Sequence, residues 1–255
     1  MHALVSAARA AANGFIAAAL APSCAVCSVL LNEPLSGCVC SQCWGSIRLI
    51  TAPVCDRCGD PLPRAAPAAI CWTCSGVPST VARARAVGEY EGALREIVHA
   101  LKYSGRQSLA PLLAERMREQ GRGLLDNADC VVPVPLHWRR EYRRGFNQAR
   151  EIARHLGRPV VDGLIRRRPT RAQVELAANR RRANVEGAFG IRRSWLRSPH
   201  FDGRTIVLVD DVSTTGSTLH ACAQVLLENG AAEVFALTAA RVIKLTSRSQ
   251  RADSR

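Results

Sequence analysis

The stretch VLVDDVSTTGSTL, residues 207–219, holds the residues whose types and spacing are best suited to chemistry. Asp210 and Asp211 follow an apolar run, and a polar turn containing Gly216 comes next, ahead of a helix-like pattern. Backbone N–H groups and hydroxyls at a helix N-terminus bind anions, and glycine lets a phosphate approach the backbone closely. Two adjacent carboxylates repel a phosphate, so they suit vicinal hydroxyls or a divalent cation instead. A ribose 5-phosphate satisfies both halves of the motif.

The end of the strand in this motif determines how its carboxylates are presented. We expect a buried, parallel-type strand over 205–209, with Asp210 and Asp211 unpaired at the edge of the sheet and Ser213 opening the turn. Because like charges repel, removing one carboxylate should leave stability unchanged or slightly improved. No GxxxxGK[ST] sequence is present, which excludes a Walker A loop. The alternative, a simple helix N-cap, fits a lone Ser-Thr pair better than a string of this length.

Cysteine spacing indicates a second kind of site. Nine of the eleven cysteines lie within residues 24–74, and eight of these form four CxxC units. One unit lets two thiolates grip an ion from a tight turn, and two units complete a tetrahedral zinc site. Consecutive pairing of the units is simplest, interleaved pairing is an alternative, and Cys38 is an alternative to Cys40. We expect two closed, structural zinc sites in a reduced protein, with these ligands: Cys24, Cys27, Cys40, Cys43, Cys55, Cys58, Cys71 and Cys74.

Length and charge restrict the class of protein. The 255 residues, 47% of them hydrophobic, suffice for one medium α/β domain and a small module. The formal net charge of +14 favours anionic partners, among them nucleic acid, phosphorylated metabolites and anionic lipid surfaces. No uninterrupted apolar run reaches the ~18 residues that a membrane span needs.

The chain divides into four segments. Residues 1–21 predict an amphipathic helix, with a signal peptide as the alternative; a basic n-region is missing and Arg9 interrupts the apolar stretch, which disfavours that alternative. Residues 22–78 hold the cysteine units, and residues 244–255 predict a basic, disordered tail. In 79–243, strands alternate with helices, which predicts a doubly wound, mostly parallel sheet that binds ligands at the carboxyl ends of its strands. The predicted strands are 82–90, 130–136, 205–209 and 233–242, and the predicted helical faces are 94–101, 109–117, 146–156 and 219–227.

Basic residues cluster in two places. Arginines that include Arg139, Arg143 and Arg144 follow the second strand, and guanidinium groups bind phosphate oxygens bidentately. A solvated basic face and a nucleic-acid contact are the alternatives. Residues 166–182 form the second region, which fits a mobile loop over a ligand or a track for a nucleic-acid backbone; we favour the loop, because few aromatic residues accompany it. Lys102 ends a helical face, where it suits either a phosphate or the helix dipole.

The opening string closely resembles the phosphoribosyl-diphosphate (PRPP) binding signature of type I phosphoribosyltransferases. Together with LKYSG, VVPVPLHWRREYRRGFNQAR and the CxxC series, it resembles the ComF family of competence-associated proteins over residues 22–242. The resemblance implies a double zinc ribbon on a phosphoribosyltransferase core that binds PRPP with Mg²⁺, with Asp210 and Asp211 as candidate Mg²⁺ ligands. The implied PRPP-binding residues are Asp210, Asp211, Ser213, Thr214, Thr215, Gly216, Ser217 and Thr218. Candidates for a diphosphate loop are Val134, Pro135, Arg139, Arg143 and Arg144, and further candidates are Lys102, Gln173 and Arg182.

The resemblance implies transfer of phosphoribosyl to an acceptor that the sequence does not identify. The clustered CxxC cysteines separately predict a reduced, cytoplasmic protein. No catalytic residue is assigned, because the reaction needs positioning and charge stabilisation more than a general base. Two alternatives stay open, since fold does not prove turnover. One is a non-catalytic factor that processes DNA for uptake, with single-stranded DNA or the uptake machinery as its partner. The other is a regulator that senses PRPP.

Overall fold

The computed structural model describes residues 2–64, 69–168, 187–192 and 200–243. Its strands are β1 (Arg83–Glu89), β2 (Cys130–Pro133), β3 (Leu164–Arg166), β4 (Phe189–Ile191), β5 (Thr205–Ser213) and β6 (Glu233–Arg241). Within the described part of the chain, four of them form a parallel sheet in the order β1-β6-β5-β2, and β3 and β4 pair as an antiparallel hairpin. The predicted parallel α/β fold is confirmed.

Four of the described helices cover the predicted apolar faces, and three short ones were not predicted. They are α1 (His2–Leu20), α2 (Ser41–Gly45), α3 (Gly92–Tyr103), α4 (Leu109–Gln120), α5 (Arg122–Leu125), α6 (Trp138–Arg144), α7 (Gln148–Ala153) and α8 (Ser217–Leu227). Leu94, Ile97 and Leu101 are fully buried on α3, as a spacing of three and four residues requires. The helix that was predicted from Phe146 begins two residues later, because Asn147 caps it.

Alternating strand residues serve two hydrophobic cores. Val207 and Val209 of β5 point to the core built with α3, α4 and α7, whereas Ile206 and Leu208 point to the core built with α8 and the hairpin. A parallel sheet buried on both faces accounts for the continuous apolar run that precedes the two aspartates. The strand is therefore held from both sides up to the point where the motif begins.

The cysteine-rich module packs on the free edge of β1. Ile50 N–H donates to Val87 O at 3.0 Å, and Glu89 N–H donates to Arg48 O at 2.9 Å. The turn at Gly59 lies so close to β1 that a Cβ there would stand 2.5 Å from Ala84 O, which only glycine permits. The module thus covers a sheet edge that would otherwise be unpaired.

The N-terminal helix touches the first half of the cysteine-rich module. Asn13 Oδ1 accepts a hydrogen bond from Leu35 N–H at 2.9 Å, and Arg9 donates to Ser36 Oγ at 3.2 Å. Phe15 and Leu20 of α1 are each 75% exposed. No helix in the described ranges is long and apolar enough to span a membrane. The predicted tail, 244–255, lies outside the described residues, and the predicted segment boundaries stay predictions.

Candidate functional site

Strand β5 runs further than the sequence predicts. It continues to Ser213, so Asp210 and Asp211 lie within the strand rather than after it. Main-chain pairing with β6 accounts for the extension, since Asp210 is in register with Thr238 and Val212 with Ala240. As neighbours on a strand, the two aspartates point to opposite faces. Asp211 is 7% exposed and Asp210 is half-buried, so both carboxylates are set more firmly than an edge position would allow.

The expectation of two unpaired carboxylates is wrong. Lys102 Nζ lies 2.8 Å from Asp211 Oδ1, and the two side chains are only 17% and 11% exposed. Burial lowers the pKa of Lys102, but the Asp211 carboxylate outweighs it, so the pKa is raised and the lysine stays charged. Lys102 comes from the end of α3, which packs beside the sheet. The structure therefore directs this side chain to a carboxylate of the motif.

Folding makes ionisation of the Asp210 carboxyl less favourable. Burial, and then the neighbouring Asp211 carboxylate, raise the pKa of Asp210 to about 7, while Lys102 opposes the rise. The Asp210 carboxylate accepts a hydrogen bond from Asp211 N–H at 2.8 Å. A ligand that brings hydroxyl donors or positive charge would stabilise the ionised form of this carboxyl.

The second half of the motif is a short loop followed by a helix of eleven residues. The loop comprises residues 214–216, and α8 begins at Ser217. Gly216 has φ +75°, a left-handed conformation that other residues adopt only with strain. Thr215 Oγ1 lies 2.8 Å from Ser217 Oγ, which ties the loop to the helix. The first turn of a helix has N–H groups without intrahelical partners, so the loop aims donors at the edge of the sheet.

Ser213 does not open the turn as expected, because it belongs to β5 and is only 4% exposed. Its Oγ accepts a hydrogen bond from Arg241 Nη1 at 3.3 Å, and its carbonyl accepts one from Val242 N–H at 2.9 Å. Arg241 ends β6 and was missed from the sequence. The available signal was its position: Arg241 lies next to the end of the strand predicted to lie in the same sheet as the motif.

The strand exit after β2 lies beside the motif. Val134 and Pro135 are buried, and Val134 N–H donates to Val209 O at 2.9 Å, one residue before Asp210. Asn147 Nδ2 donates to Val134 O at 3.0 Å, while Asn147 Oδ1 accepts from Ala149 N–H at 3.0 Å and caps α7. Asn147, which is 3% exposed, thus connects the segment after β2 to the start of α7. The sequence analysis missed it as a site residue. Its position just before an apolar helical face was the available signal.

The three candidate arginines of this exit lie in α6. Arg143 is exposed, and Arg139 is also exposed, with its guanidinium 5.2 Å from the centre of the Trp138 ring. Arg144 lies 5.0 Å from the Tyr103 ring centre and donates to Gln148 Oε1. The geometry brings positive charge to the exit, with the nearest aromatic rings exposed beside it. Gln173 and Arg182, with most of the second basic region, lie outside the described residues.

Two groups of four cysteines occur among the described residues. In each group the Sγ atoms lie within 4.8 Å of one another. Zn–S bonds of about 2.3 Å in a tetrahedron place sulfur atoms about 3.8 Å apart, and the Cys27–Cys40 and Cys58–Cys71 sulfur distances are 3.7 Å. Consecutive pairing is therefore correct and interleaved pairing is wrong. Cys38 lies outside the groups, 3.9 Å from Ser108 Oγ.

Within each group, the thiols differ in how readily they ionise. Burial raises the pKa of Cys24, but N–H groups beginning with that of Cys27 outweigh burial and lower the pKa to about 6. In the second group, N–H groups beginning with that of Cys71 likewise overcome burial and lower the pKa of Cys55 to about 7. Burial raises the pKa of Cys43 and Cys58. Neighbouring thiols cannot all ionise without a shared positive charge, so the donor sets fit structural zinc.

Family models match both parts of the chain. Residues 142–254 match the phosphoribosyl transferase domain, and residues 15–75 match the double zinc ribbon domain. Among solved structures, a purine phosphoribosyltransferase from Pyrococcus horikoshii is 19% identical, with a TM-score of 0.29 over 53% of this chain and 71% of that chain.

Curated relatives match over most of their length. The DNA utilization protein YhgH of Salmonella typhimurium is 37% identical over 207 residues, which cover 77% of this chain and 87% of that protein. The competence protein ComFC of Bacillus subtilis is 31% identical over 208 residues, which cover 80% of this chain and 84% of that protein. Both relatives are more than 30% identical over more than three quarters of this chain, and so the chain, which joins a double zinc ribbon to a phosphoribosyl transferase domain, belongs to the ComF family.

Proposed function

We propose that this protein binds PRPP together with Mg²⁺ at the carboxyl edge of the sheet and transfers its phosphoribosyl group to an acceptor. One observation carries the proposal: two adjacent, largely buried carboxylates on β5 stand one short loop ahead of the N-terminus of α8. Because Asp210 and Asp211 lie on opposite faces of β5, the ribose would lie across the end of this strand and donate one hydroxyl hydrogen bond to each carboxylate. The 5-phosphate accepts hydrogen bonds from the N–H groups of residues 214–218.

The charges at this edge support a ligand of that kind. Lys102 already balances Asp211, whereas Asp210 keeps a raised pKa that hydroxyl donors or a cation would lower. Oxygen ligands are the ones that Mg²⁺ prefers, and few of them need come from the protein when the substrate carries phosphates. Asp210 and Asp211 would hold Mg²⁺, which supplies positive charge against the diphosphate when bound.

The proposed reaction is a substitution at C1′ of the ribose. The acceptor forms a bond to C1′ with its lone pair, the bond from C1′ to the diphosphate oxygen breaks, and diphosphate leaves with that electron pair. The proton that the acceptor loses passes to solvent, so the proposal assigns no general base. Arg139 and Arg143, exposed beside the strand exit at Val134, receive the negative charge of the leaving diphosphate.

Calorimetric titration with PRPP and Mg²⁺ tests binding. Asp210→Asn and Asp211→Asn should each weaken affinity by roughly ten- to a hundredfold, since a hydrogen bond to a charged group contributes about 1.5–3 kcal/mol. Asp129→Asn is the matched control, because Asp129 accepts a hydrogen bond from Thr205 N–H at the opposite end of the same strand. Equal affinity in wild type and both test variants would refute the assignment of the carboxylates to ribose.

Turnover needs a separate experiment, because binding alone does not establish it. Diphosphate release from PRPP is measured while a metabolite extract supplies acceptors, and the product is identified by mass spectrometry. Release that requires both the extract and Asp210 supports the transferase. PRPP binding without release in any extract fraction would instead support a PRPP-sensing regulator.

A second function, contact with single-stranded DNA, is favoured by the surface of α6. Trp138 is 64% exposed and Tyr142 is 89% exposed, and arginines stand beside them. Exposed aromatic rings between basic residues suit stacking of unpaired bases, and one relative is named a DNA utilization protein. Trp138→Ala should weaken salt-sensitive binding of an oligonucleotide, whereas Trp72→Ala, at a 69% exposed position of the zinc ribbon, should not. Equal loss in both variants would contradict a site on α6.

A cytoplasmic location completes the proposal. Its support is the pair of four-thiol groups, which bind zinc only while reduced. Fractionation of cells that express the protein, followed by immunoblotting, tests the location.

A further inference from the structure

Arg241 joins two parts of the molecule that are far apart in sequence. Its Nε and Nη2 donate to the two carboxylate oxygens of Asp60, the latter at 3.2 Å, and its Nη1 donates to Ser213 Oγ at 3.3 Å. Asp60 belongs to the second zinc ribbon, the part of the module that carries the cysteine group from Cys55 to Cys74. Ser213 is the last residue of β5 before the 214–216 loop. The Arg241 and Asp60 side chains are 11% and 21% exposed. A planar guanidinium in this position fixes the direction of all three contacts.

The ribbon holds its end of this bridge firmly. Cys55 N–H donates to Asp60 O at 2.8 Å, and Gly59 N–H donates to Cys55 O at 2.9 Å, so the turn that carries Asp60 is the turn that carries two thiols of the second group. The close fit of Gly59 against β1 stops the turn from moving toward the sheet. The position of Asp60 therefore depends on the folded second ribbon.

The sheet holds the other end. Ser213 and Arg241 are register partners on β5 and β6, and Val242 N–H donates to Ser213 O. The Ser213 hydroxyl is thus bound by the same guanidinium that binds Asp60.

We propose that Arg241 is a positioning residue for the 5-phosphate loop, and that the second zinc ribbon sets its position through Asp60. The second ribbon then contributes to the PRPP site through Arg241. The inference rests on the proposed function for the identity of the ligand. The contact from Asp60 to Ser213 by way of Arg241 does not depend on it.

Two variants of neighbouring ribbon carboxylates test the inference. Asp60→Asn removes the charged partner of Arg241. Asp56→Asn is the matched control, because Asp56 lies in the same ribbon turn and pairs only distantly, at 3.8 Å, with Arg85 of β1. Zinc content is measured in both variants, and so is amide hydrogen exchange of residues 214–218 without ligand, which reports on the loop itself. Affinity for PRPP with Mg²⁺ is measured by calorimetry.

With two zinc ions still bound, Asp60→Asn should speed exchange of the loop amides and weaken PRPP affinity by about tenfold each, the effect of losing roughly 1.4 kcal/mol. Asp56→Asn should change neither. Arg241→Lys, which keeps the charge but not the bidentate geometry, should act like Asp60→Asn, and the double variant should be no worse than either single one. Exchange rates that are equal in wild type and in all these variants would overturn the inference.

Two outcomes need separate interpretation. If Asp60→Asn loses zinc, Arg241→Lys decides alone, because it leaves the ribbon sequence intact: faster loop exchange supports the inference and unchanged exchange overturns it. If the wild-type protein binds no PRPP, the proposed function fails. Loop exchange without ligand still decides whether Arg241 positions the loop.

Discussion

The two adjacent aspartates should respond to substitution in opposite directions. Asp211→Asn leaves the Lys102 ammonium without its partner at 2.8 Å, in a site where that side chain is 17% exposed. Breaking a buried pair costs about 3–5 kcal/mol, and the remaining contact with water and Asp210 reduces this to about 2 kcal/mol. For a chain of this size, that loss lowers Tm by about 4–8 °C.

Asp210→Asn should raise stability instead, and by an amount that depends on pH. Folding raises the pKa of Asp210 from 3.8 to about 7, because of burial and Asp211. Between those values the folded state holds a proton that the unfolded state has lost, so wild-type stability falls as pH rises from 4 to 7, by at most about 4 kcal/mol. An asparagine, which resembles the protonated acid, does not titrate. We expect a gain of about 1–2 kcal/mol at pH 8, or about 2–8 °C in Tm, that vanishes below pH 4.

Thermal melts of the wild type, Asp210→Asn and Asp211→Asn across pH 4–8, without ligand, make the comparison. The zinc content of each sample is checked first, so that unfolding of the ribbons is not mistaken for the effect. Shifts of the same sign at pH 8, or a gain for Asp210→Asn that does not change with pH, would refute the assigned charges. The prediction replaces the expectation from sequence that either substitution is close to neutral.

Three further predictions concern the metal groups and the strand exit. Elemental analysis should find two zinc ions per chain. Cys55→Ser should lower that number and expose the ribbons to protease, whereas Cys38→Ser should do neither. A metal-free protein whose ribbons are equally protected would contradict this prediction. Arg143→Ala should weaken PRPP binding more than DNA binding in parallel titrations, and a loss confined to DNA would reverse that ranking. Asn147→Ala should lower the free energy of unfolding by about 1–3 kcal/mol in a denaturant titration, because it removes the cap of α7 and the hydrogen bond to Val134 O. An unchanged midpoint would show that neither contact stabilises the fold.

Much of the fold could be predicted because it depends on short-range patterns. The apolar spacing on α3 and α4 and the buried run before Asp210 each fix an element by burial of one face or two. The ends of strands and helices were harder to predict from the sequence. The extension of β5 to Ser213 comes from pairing with β6, and the late start of α7 comes from the Asn147 cap, neither of which hydrophobic periodicity records.

The two cysteine groups and the candidate site at residues 207–219 were evident from the sequence because each is a local arrangement. CxxC brings two thiols together within one turn, and a strand, loop and helix in succession favour an anion site. What only the tertiary structure decided is which distant residues meet there. Lys102 reaches Asp211 because α3 packs on one face of the sheet, and Arg241 reaches Asp60 across 181 positions because the second ribbon docks on the sheet. Such pairs set the charge at the candidate site and join separate elements there. They form only where burial of many apolar side chains brings separate elements together, which no local spacing encodes.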